Sequence, residues 1–260
     1  MDSKKTILSQ KDLALLEAVV LRHGKTASLE QIQEAIGENI PRGAVRKRVA
    51  QMSKAGWLIR LKKGLYLVVT DISTLGNADV SELVIAQSLN ADSYISFESA
   101  LQYYGMFDQM LSRIDSVTTK ATRKYKVLQT TYSFSQIKQE LYFGFTEVVI
   151  NNQKVKMADK EKTILDMLYF RTTRYSVSMV LEKLIAYRDQ FDFGKAKSYC
   201  AKYSLGMLRK MGFLFDQAGV DTTDILSPEQ TKRNSYNKLT QQTDKFNAKW
   251  RLYYDSNLTR

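Results

Sequence analysis

Basic side chains that could neutralise phosphate groups are concentrated in one short part of the chain. No acidic residue occurs between Glu38 and Asp71, whereas eight Lys and Arg residues lie there. These are Arg42, Arg46, Lys47, Arg48, Lys54, Arg60, Lys62 and Lys63. Solvated charge runs usually mix the two signs, so a stretch of one sign favours a polyanion as partner. The chemistry that this stretch offers is the binding of nucleic acid.

The residues around the basic stretch predict the elements that position it. The pattern predicts a helix over residues 41–55 that ends at Gly56, followed by two short strands over residues 57–62 and 65–70. Gly64 suits the turn between the strands, because glycine tolerates a positive φ angle. A helix that leads into a basic hairpin is typical of a winged helix-turn-helix domain. Binding of double-stranded DNA is therefore the leading hypothesis.

Two shorter helical patterns precede this helix. Apolar residues recur at helical spacing over residues 11–22, and His23-Gly24 then supplies a stop signal. Ser28 and Gln31 have the spacing of a capping box, which predicts a second, short helix before Gly37. The order of elements is that of a helix-turn-helix domain.

The third helix predicts which side chains contact DNA. Val45, Val49 and Met52 share one face, which must be the buried one. Recognition helices contact base edges through their N-terminal half. We expect base contacts from Arg42, Arg46 and Lys47, and contacts nearer to phosphate from Gln51 and Lys54.

The sequence also predicts roles for the basic residues of the wing, for Arg48 and for Trp57. Arg60, Lys62 and Lys63 should touch the DNA backbone or the minor groove. Arg48 falls beside the apolar face, so a structural role is open for it. Trp57 is expected to pack the wing onto the core.

Length and composition predict a globular chain of two domains. The chain has 260 residues, of which 44% are hydrophobic, and a net charge of +12. It can bury a core and exceeds the usual size of one domain. A polar, turn-rich stretch over residues 71–79 predicts a winged helix domain at 1–75 and a C-terminal domain at 79–260.

The sequence favours the cytoplasm and no membrane. Cys200 is the single cysteine and cannot form an internal disulfide. The segment after Met1 to Lys5 is broken by Asp12 and Glu17, unlike a signal peptide. The apolar runs are much shorter than the roughly 20 residues that span a bilayer.

Beyond the boundary the pattern becomes mixed, which predicts the α+β class with a helical end. Ser81, Ser96 and Asp159 are expected to cap helices. Predicted strands cover residues 114–119, 126–132, 141–150 and 154–157, the last two joined at Asn151-Asn152. Predicted helices cover residues 82–89, 97–104, 160–170, 177–187, 195–203 and 205–215. The aromatic residues expected in the core are Tyr103, Tyr104, Phe107, Tyr142, Phe143 and Phe145.

The groups that common enzymes need are scarce. His23 is the single histidine. The sequence gives no sign that it pairs with Cys200, either as the base of a nucleophile or as part of a metal ligand set. Neither common glycine-rich phosphate loop is present. We therefore expect no catalysis, no metal and no cofactor. A carboxylate–magnesium site that uses Glu161 and Asp166 stays open as an alternative.

Two motifs carry a family resemblance. Ser96-Phe97-Glu98-Ser99-Ala100-Leu101 and Glu161-Lys162-Thr163-Ile164-Leu165-Asp166, placed after a winged helix pattern, resemble the AbiEi family of antitoxins. The resemblance extends to about Gly219. The chain departs from the family pattern at Ala158-Asp159, where a proline is expected shortly before Glu161.

The resemblance implies a bifunctional protein. AbiEi antitoxins belong to type IV toxin–antitoxin systems of abortive infection, a phage defence. The winged helix domain would repress its own promoter at inverted repeats. The C-terminal domain would counteract a nucleotidyltransferase-like toxin without a stable complex.

The candidate residues for that second role also have simpler structural explanations. Ser96 and Ser99 are also explained as a helix cap and a first-turn hydroxyl, and Glu161 by the helix dipole. Lys162 and Asp166 could line a polar site with Glu161. A second basic cluster could contact DNA, a toxin, toxin-bound RNA or only solvent; it comprises Arg113, Lys120, Arg123, Lys124 and Lys126.

Other classes of function remain open. An RNA-binding protein or a winged-helix regulator unrelated to a toxin would also carry the basic stretch. A pure interaction scaffold would leave that stretch unexplained. The tail from Ser227, which holds Trp250, Tyr253 and Tyr254, has no counterpart in the family pattern.

Overall fold

The N-terminal part of the computed structural model, which describes residues 8–37 and 40–258, is a helix-turn-helix-like region with wing strands. The stretch Met1 to Lys5 lies outside the described residues. The elements in chain order are α1 (Gln10–His23), β1 (Thr26–Ser28), α2 (Leu29–Ile36), α3 (Arg42–Ala55), β2 (Leu58–Lys62) and β3 (Leu65–Val68).

Local side-chain chemistry sets the helix ends here. The Ser28 hydroxyl accepts from the Gln31 amide N–H and the Gln31 side chain accepts from the Ser28 N–H, so the predicted capping box is confirmed. Gly56 ends α3 in the left-handed conformation with φ 91°. A Cβ at Gly56 would also lie 2.9 Å from the backbone nitrogen of Gly76, so glycine is required there on two grounds.

A short strand that the sequence did not predict completes the wing. β1 pairs antiparallel with β3, and β3 pairs antiparallel with β2, giving the strand order β1-β3-β2. Three residues are too few to show an alternating pattern, so β1 left no periodic signal.

The C-terminal part is mixed α and β. Its elements up to the sheet's last strand are α4 (Glu82–Leu89), β4 (Ser93–Ile95), α5 (Phe97–Tyr103), β5 (Arg113–Thr118), β6 (Arg123–Val127), β7 (Thr130–Gln136), β8 (Phe145–Ile150) and β9 (Gln153–Ala158). The helical end comprises α6 (Lys160–Phe170), α7 (Arg174–Ala186), α8 (Phe193–Cys200) and α9 (Leu205–Gln217). The predicted α+β class is confirmed.

Six strands form a mixed sheet in the order β6-β7-β5-β4-β9-β8. The predicted turn between β8 and β9 is confirmed, since Asn151 and Asn152 have φ angles of 47° and 62°. The single strand predicted over residues 126–132 is wrong: β6 and β7 are separate strands that turn at Leu128, whose φ is 52°. The strand predicted over residues 141–150 begins only at Phe145, after a 3-10 turn.

The two parts share a core across the predicted boundary. Ile59, Leu61 and Val69 of the wing region pack with Val84 and Ile85 of α4 in one buried apolar cluster. The Lys25 ammonium contacts the Asp79 carboxylate at 2.7 Å across the same junction. Residues 71–79 therefore connect two packed parts; the division at 1–75 and 79–260 stays a prediction.

The tail forms a small unit packed on α9. It contains α10 (Pro228–Lys232), β10 (Asn237–Lys238), β11 (Lys245–Asn247) and β12 (Leu252–Tyr254) in the order β10-β12-β11. Trp250 is 1% exposed and lies against Gly212, where a Cβ would come within 2.1 Å of the indole ring. Glycine at that position of α9 thus admits the indole ring.

Candidate nucleic-acid interface

Helix α3 buries one face and presents the others to solvent. Val45, Val49 and Met52 are buried, as predicted, and pack with Leu16 of α1 and Ile32 of α2. This packing fixes the rotation of the helix about its axis. The remaining positions are turned away from the domain core.

The basic side chains predicted to contact DNA on α3 are exposed. Arg46, Lys47, Gln51 and Lys54 all face solvent. Over residues 8–37 and 40–258, no carboxylate lies within ion-pair distance of Arg46, Lys47 or Lys54. Three cations without a counterion on one helix form a surface of high positive potential.

The other two arginines of α3 have protein partners. Arg42 lies 2.9 Å from the Glu30 carboxylate, and both side chains are exposed. Arg48 donates to the Asp12 carboxylate at 2.7 Å and to the Lys11 carbonyl at 2.8 Å. Arg48 thus ties α3 to the start of α1, the structural role considered for it.

The wing divides its basic residues between solvent and the protein. Arg60 and Lys63 are exposed, and Gly64 has the positive φ expected of the turn, 76°. The Lys62 ammonium instead donates to the Leu89 carbonyl at the end of α4, at 2.6 Å. Trp57 is buried at 7% exposure, as predicted.

Part of the second basic cluster lies beside the wing. Arg123, Lys124 and Lys126 are exposed on β6, the edge strand of the large sheet, and β6 contacts β2. Arg113 instead contacts the Asp115 carboxylate at 2.8 Å, and Lys120 lies 3.7 Å from Asp92. The sequence cluster is therefore split, and its β6 members lie on a strand that contacts the wing.

A second group of charges lies inside the C-terminal part. Lys162 and Asp166 are fully buried, and the Lys162 ammonium contacts the Asp166 carboxylate at 2.7 Å. Lys162 also donates to the Tyr203 hydroxyl at 2.7 Å. The Tyr94 and Ser96 hydroxyls donate to Asp166 at 3.0 and 2.9 Å. The network joins β4, α6 and the segment after α8.

Burial alters the proton affinity of this network. Loss of water raises the pKa of the Asp166 carboxyl above its usual value, while Lys162 and the two hydroxyls act in the opposite direction. Burial likewise raises the pKa of the Tyr203 phenol far above its usual range. The Lys162 ammonium is further stabilised by the Phe143 ring, whose centroid is 4.8 Å away.

The two candidate serines hold other elements in place. Ser96 occupies the N-cap position of α5 but makes no cap hydrogen bond, so the expected cap is wrong. The Ser96 hydroxyl instead donates to the Asp166 carboxylate, and the next residue, Phe97, has φ 56°. Ser99 accepts from the Asp115 backbone N–H at 3.1 Å and so links α5 to β5.

Glu161 is also committed to the fold. It is 6% exposed, accepts from the Asp192 N–H at 2.9 Å and lies 3.2 Å from the Lys195 ammonium. Asp159 caps α6 as predicted, accepting from the Lys162 N–H at 2.7 Å. The candidates Ser96, Ser99, Glu161, Lys162 and Asp166 are thus buried and bonded within the protein.

Sequence reasoning missed the partners of these groups. Lys162 and Asp166 have the i,i+4 spacing of a helical ion pair, a signal that was available. Tyr94 and Tyr203 are brought in by tertiary packing and left no local signal. The core position predicted for Tyr103 is wrong, since this side chain is 44% exposed, whereas its neighbour Tyr104 packs against the core.

Three further properties of the described residues bear on other kinds of site. Across residues 8–37 and 40–258, no group of three or more His, Cys, Asp or Glu side chains is placed to hold a metal ion. Burial raises the pKa of the Cys200 thiol to about 12. None of the helices in that part of the chain is both long and apolar enough to cross a membrane.

A solved structure shares the fold over nearly the whole chain. The RV2827C protein from Mycobacterium tuberculosis superposes with a TM-score of 0.63, covering 95% of this chain and 92% of that one. The two sequences are 12% identical, so the likeness is one of fold. No curated protein matches the chain.

A family model matches the region that carries the basic surface. Residues 15–69 match the family described as transcriptional regulator, AbiEi antitoxin. The match covers α2, α3 and the wing, and the family is one of regulators. Residues 15–69 thus match the AbiEi family of antitoxin transcriptional regulators, which confirms the predicted resemblance.

Proposed function

We propose that the protein represses its own promoter by placing α3 in the major groove of DNA at inverted repeats. The observation that carries the proposal is the exposed face of α3, where Arg46, Lys47 and Lys54 lack a counterion within the described residues. Arg46 and Lys47 lie in the N-terminal half of the helix, the half that contacts bases in helix-turn-helix proteins. Arg42 can join them by exchanging Glu30 for a base.

Backbone contacts would come from the wing and from the strand beside it. Arg60 and Lys63 are free to reach phosphates on one side of the groove. Arg123, Lys124 and Lys126 of β6 extend that contact surface, because β6 touches β2. Lys62 has its ammonium on the Leu89 carbonyl and is the weakest candidate of the wing.

A gel shift on the chain's own upstream region tests the proposal. Wild-type protein should bind this fragment more tightly than an unrelated duplex of equal length. Arg46→Ala and Lys47→Ala should lose this preference. Arg48→Lys serves as the matched control, since Arg48 is directed at Asp12 and not at solvent. Equal affinity of all variants for the upstream fragment would overturn the proposal.

For the second role, we propose that the protein counteracts a nucleotidyltransferase-like toxin of a type IV system used in phage defence. This rests on the AbiEi match at residues 15–69. The buried network argues for a rigid C-terminal part, not for an exposed site at Lys162 and Asp166. Full-length Arg46→Ala/Lys47→Ala, co-expressed with the toxin, should still rescue growth. Loss of rescue together with DNA binding would mean that protection is transcriptional.

A further inference from the structure

The tail carries a small sheet with an aromatic outer face. Tyr236, Phe246 and Tyr253 are 64%, 49% and 37% exposed. They are three of the six aromatic side chains that are strongly exposed over residues 8–37 and 40–258. The other three are Tyr103, Tyr169 and Tyr175, which lie on separate helices.

Strand register places the rings together. Phe246 of β11 and Lys238 of β10 are both direct neighbours of Tyr253 on the central strand β12. Neighbouring residues in register point to the same side of a sheet, so the three side chains form one row. The Tyr253 centroid is 4.8 Å from Phe246 and 5.4 Å from Tyr236. Each ring is therefore held by its neighbours before any ligand arrives.

Buried anchors keep the face in place. The Arg209 guanidinium of α9 is buried and donates to the carbonyls of Arg233 and Ser235, just before Tyr236. The Trp250 indole donates to the Asp216 carboxylate at 2.6 Å on the same helix. The aromatic face is thus fixed to α9.

The side chains of the aromatic face indicate the class of ligand that it binds. Over residues 227–258 the exposed large apolar side chains are these three flat rings, with no exposed Leu, Ile, Val or Met among them. Lys238 lies in the row, and Lys245 lines the groove beside the rings together with Thr243 and Asp244. Residues 227–260 hold seven Lys and Arg against three Asp and Glu. The cores of protein–protein interfaces are depleted of charge, whereas nucleic-acid platforms combine rings with cations.

We infer that this sheet is a stacking platform for single-stranded nucleic acid, separate from the duplex-binding helix α3. Unpaired bases would stack on Phe246, Tyr253 and Tyr236, and the lysines would contact the phosphates between them. An open groove of about 440 Å³ beside Phe246 and Tyr253 leaves room for a base. The inference does not depend on the proposed repression.

The inference is tested by measuring how labelled oligouridine and oligothymidine bind to the full chain. A length of about 12 nucleotides lies within the range that such platforms cover. Phe246→Ala and Tyr253→Ala should each weaken binding by about 5- to 150-fold, the range expected for loss of one stacked base. Tyr175→Ala is the matched control, because Tyr175 is an exposed aromatic residue on α7, away from the tail sheet. An oligodeoxyuridine of the same length, which differs from oligouridine only in the 2′-hydroxyl, shows whether that group contributes.

Two further variants separate stacking from simpler effects. Tyr253→Phe keeps the ring and should bind as wild type, whereas Tyr253→Leu keeps apolar bulk and should bind as weakly as Tyr253→Ala. Arg46→Ala/Lys47→Ala should lose duplex binding and retain the single strands. Unchanged affinity in Phe246→Ala and Tyr253→Ala, wild-type binding by Tyr253→Leu, or an equal loss in Tyr175→Ala would overturn the inference.

Discussion

Two regions of this molecule are rich in charge, and they use it in opposite ways. On α3, Arg46, Lys47 and Lys54 stand in solvent with no carboxylate beside them in the described part of the chain. At the start of α6, Lys162 and Asp166 are withdrawn from water and bonded to each other. Charge left unpaired at a surface is available to a ligand, whereas charge paired inside a core fixes the relative position of elements. Residue type alone did not distinguish these uses.

The largest effect should come from breaking the buried pair. Asp166→Ala leaves the Lys162 ammonium buried without its carboxylate, and we expect a loss of about 3–5 kcal/mol in the free energy of unfolding. Urea unfolding measures this loss. Asp92→Ala removes an exposed carboxylate near Lys120 and should change stability by no more than about 0.5 kcal/mol. Similar stability of the two variants would place Asp166 in contact with water.

The close packing around Lys162 gives the next prediction. A Cβ at Gly144 would lie 2.9 Å from the Cβ of Lys162, and Gly144 has φ 73°. Gly144→Ala should therefore destabilise the protein by about 1–3 kcal/mol through crowding and backbone strain. Thermal unfolding checks the change. Gly105→Ala has a similar φ with open space around it and should be affected less.

Substitutions on the exposed face of α3 should weaken DNA binding without changing the stability of the fold. Arg46→Ala and Lys47→Ala should each weaken binding at the upstream site by about 1–3 kcal/mol and relax base preference, if each contacts a base edge. Their unfolding curves should overlay that of the wild type, because neither side chain has a partner in the described residues. A large shift in unfolding would assign these residues to the fold.

The smallest effect distinguishes two neighbouring lysines. Lys63→Ala should reduce the slope of log affinity against log salt by about 1, since one phosphate contact is lost. Lys62→Ala should leave the slope close to that of the wild type, because its ammonium already serves the Leu89 carbonyl. A slope reduced by about 1 in both variants would show that Lys62 leaves Leu89 when DNA binds.

Much of the fold could be predicted where local chemistry decides it. The Ser28 capping box, the stop at Gly56 and the Asn151-Asn152 turn each involve residues close in sequence. The β6–β7 turn was missed because Leu128 takes a left-handed conformation that glycine or asparagine usually signals. The tail sheet was missed because its strands have only two or three residues.

Part of the candidate interface could likewise be predicted from local patterns, and part of it could not. Exposure of Arg46, Lys47, Arg60 and Lys63 follows from the apolar stripe of α3 and the hairpin pattern, both of which are local. The partners of Arg42, Arg48 and Lys62 come from Glu30, Asp12 and Leu89, which the fold brings near. Pairing over such separations leaves no periodic trace in the sequence.

The buried cluster shared by the wing and α4 means that neither element can shift without disturbing the packing of the other. Ile59 and Leu61 pack on Val84 and Ile85, and packed cores rearrange between discrete states more readily than they deform. A ligand of the C-terminal part that shifts α4 must move the wing or open this cluster. Occupancy of the operator would then alter the affinity for that ligand by the same factor by which the ligand alters the affinity for the operator.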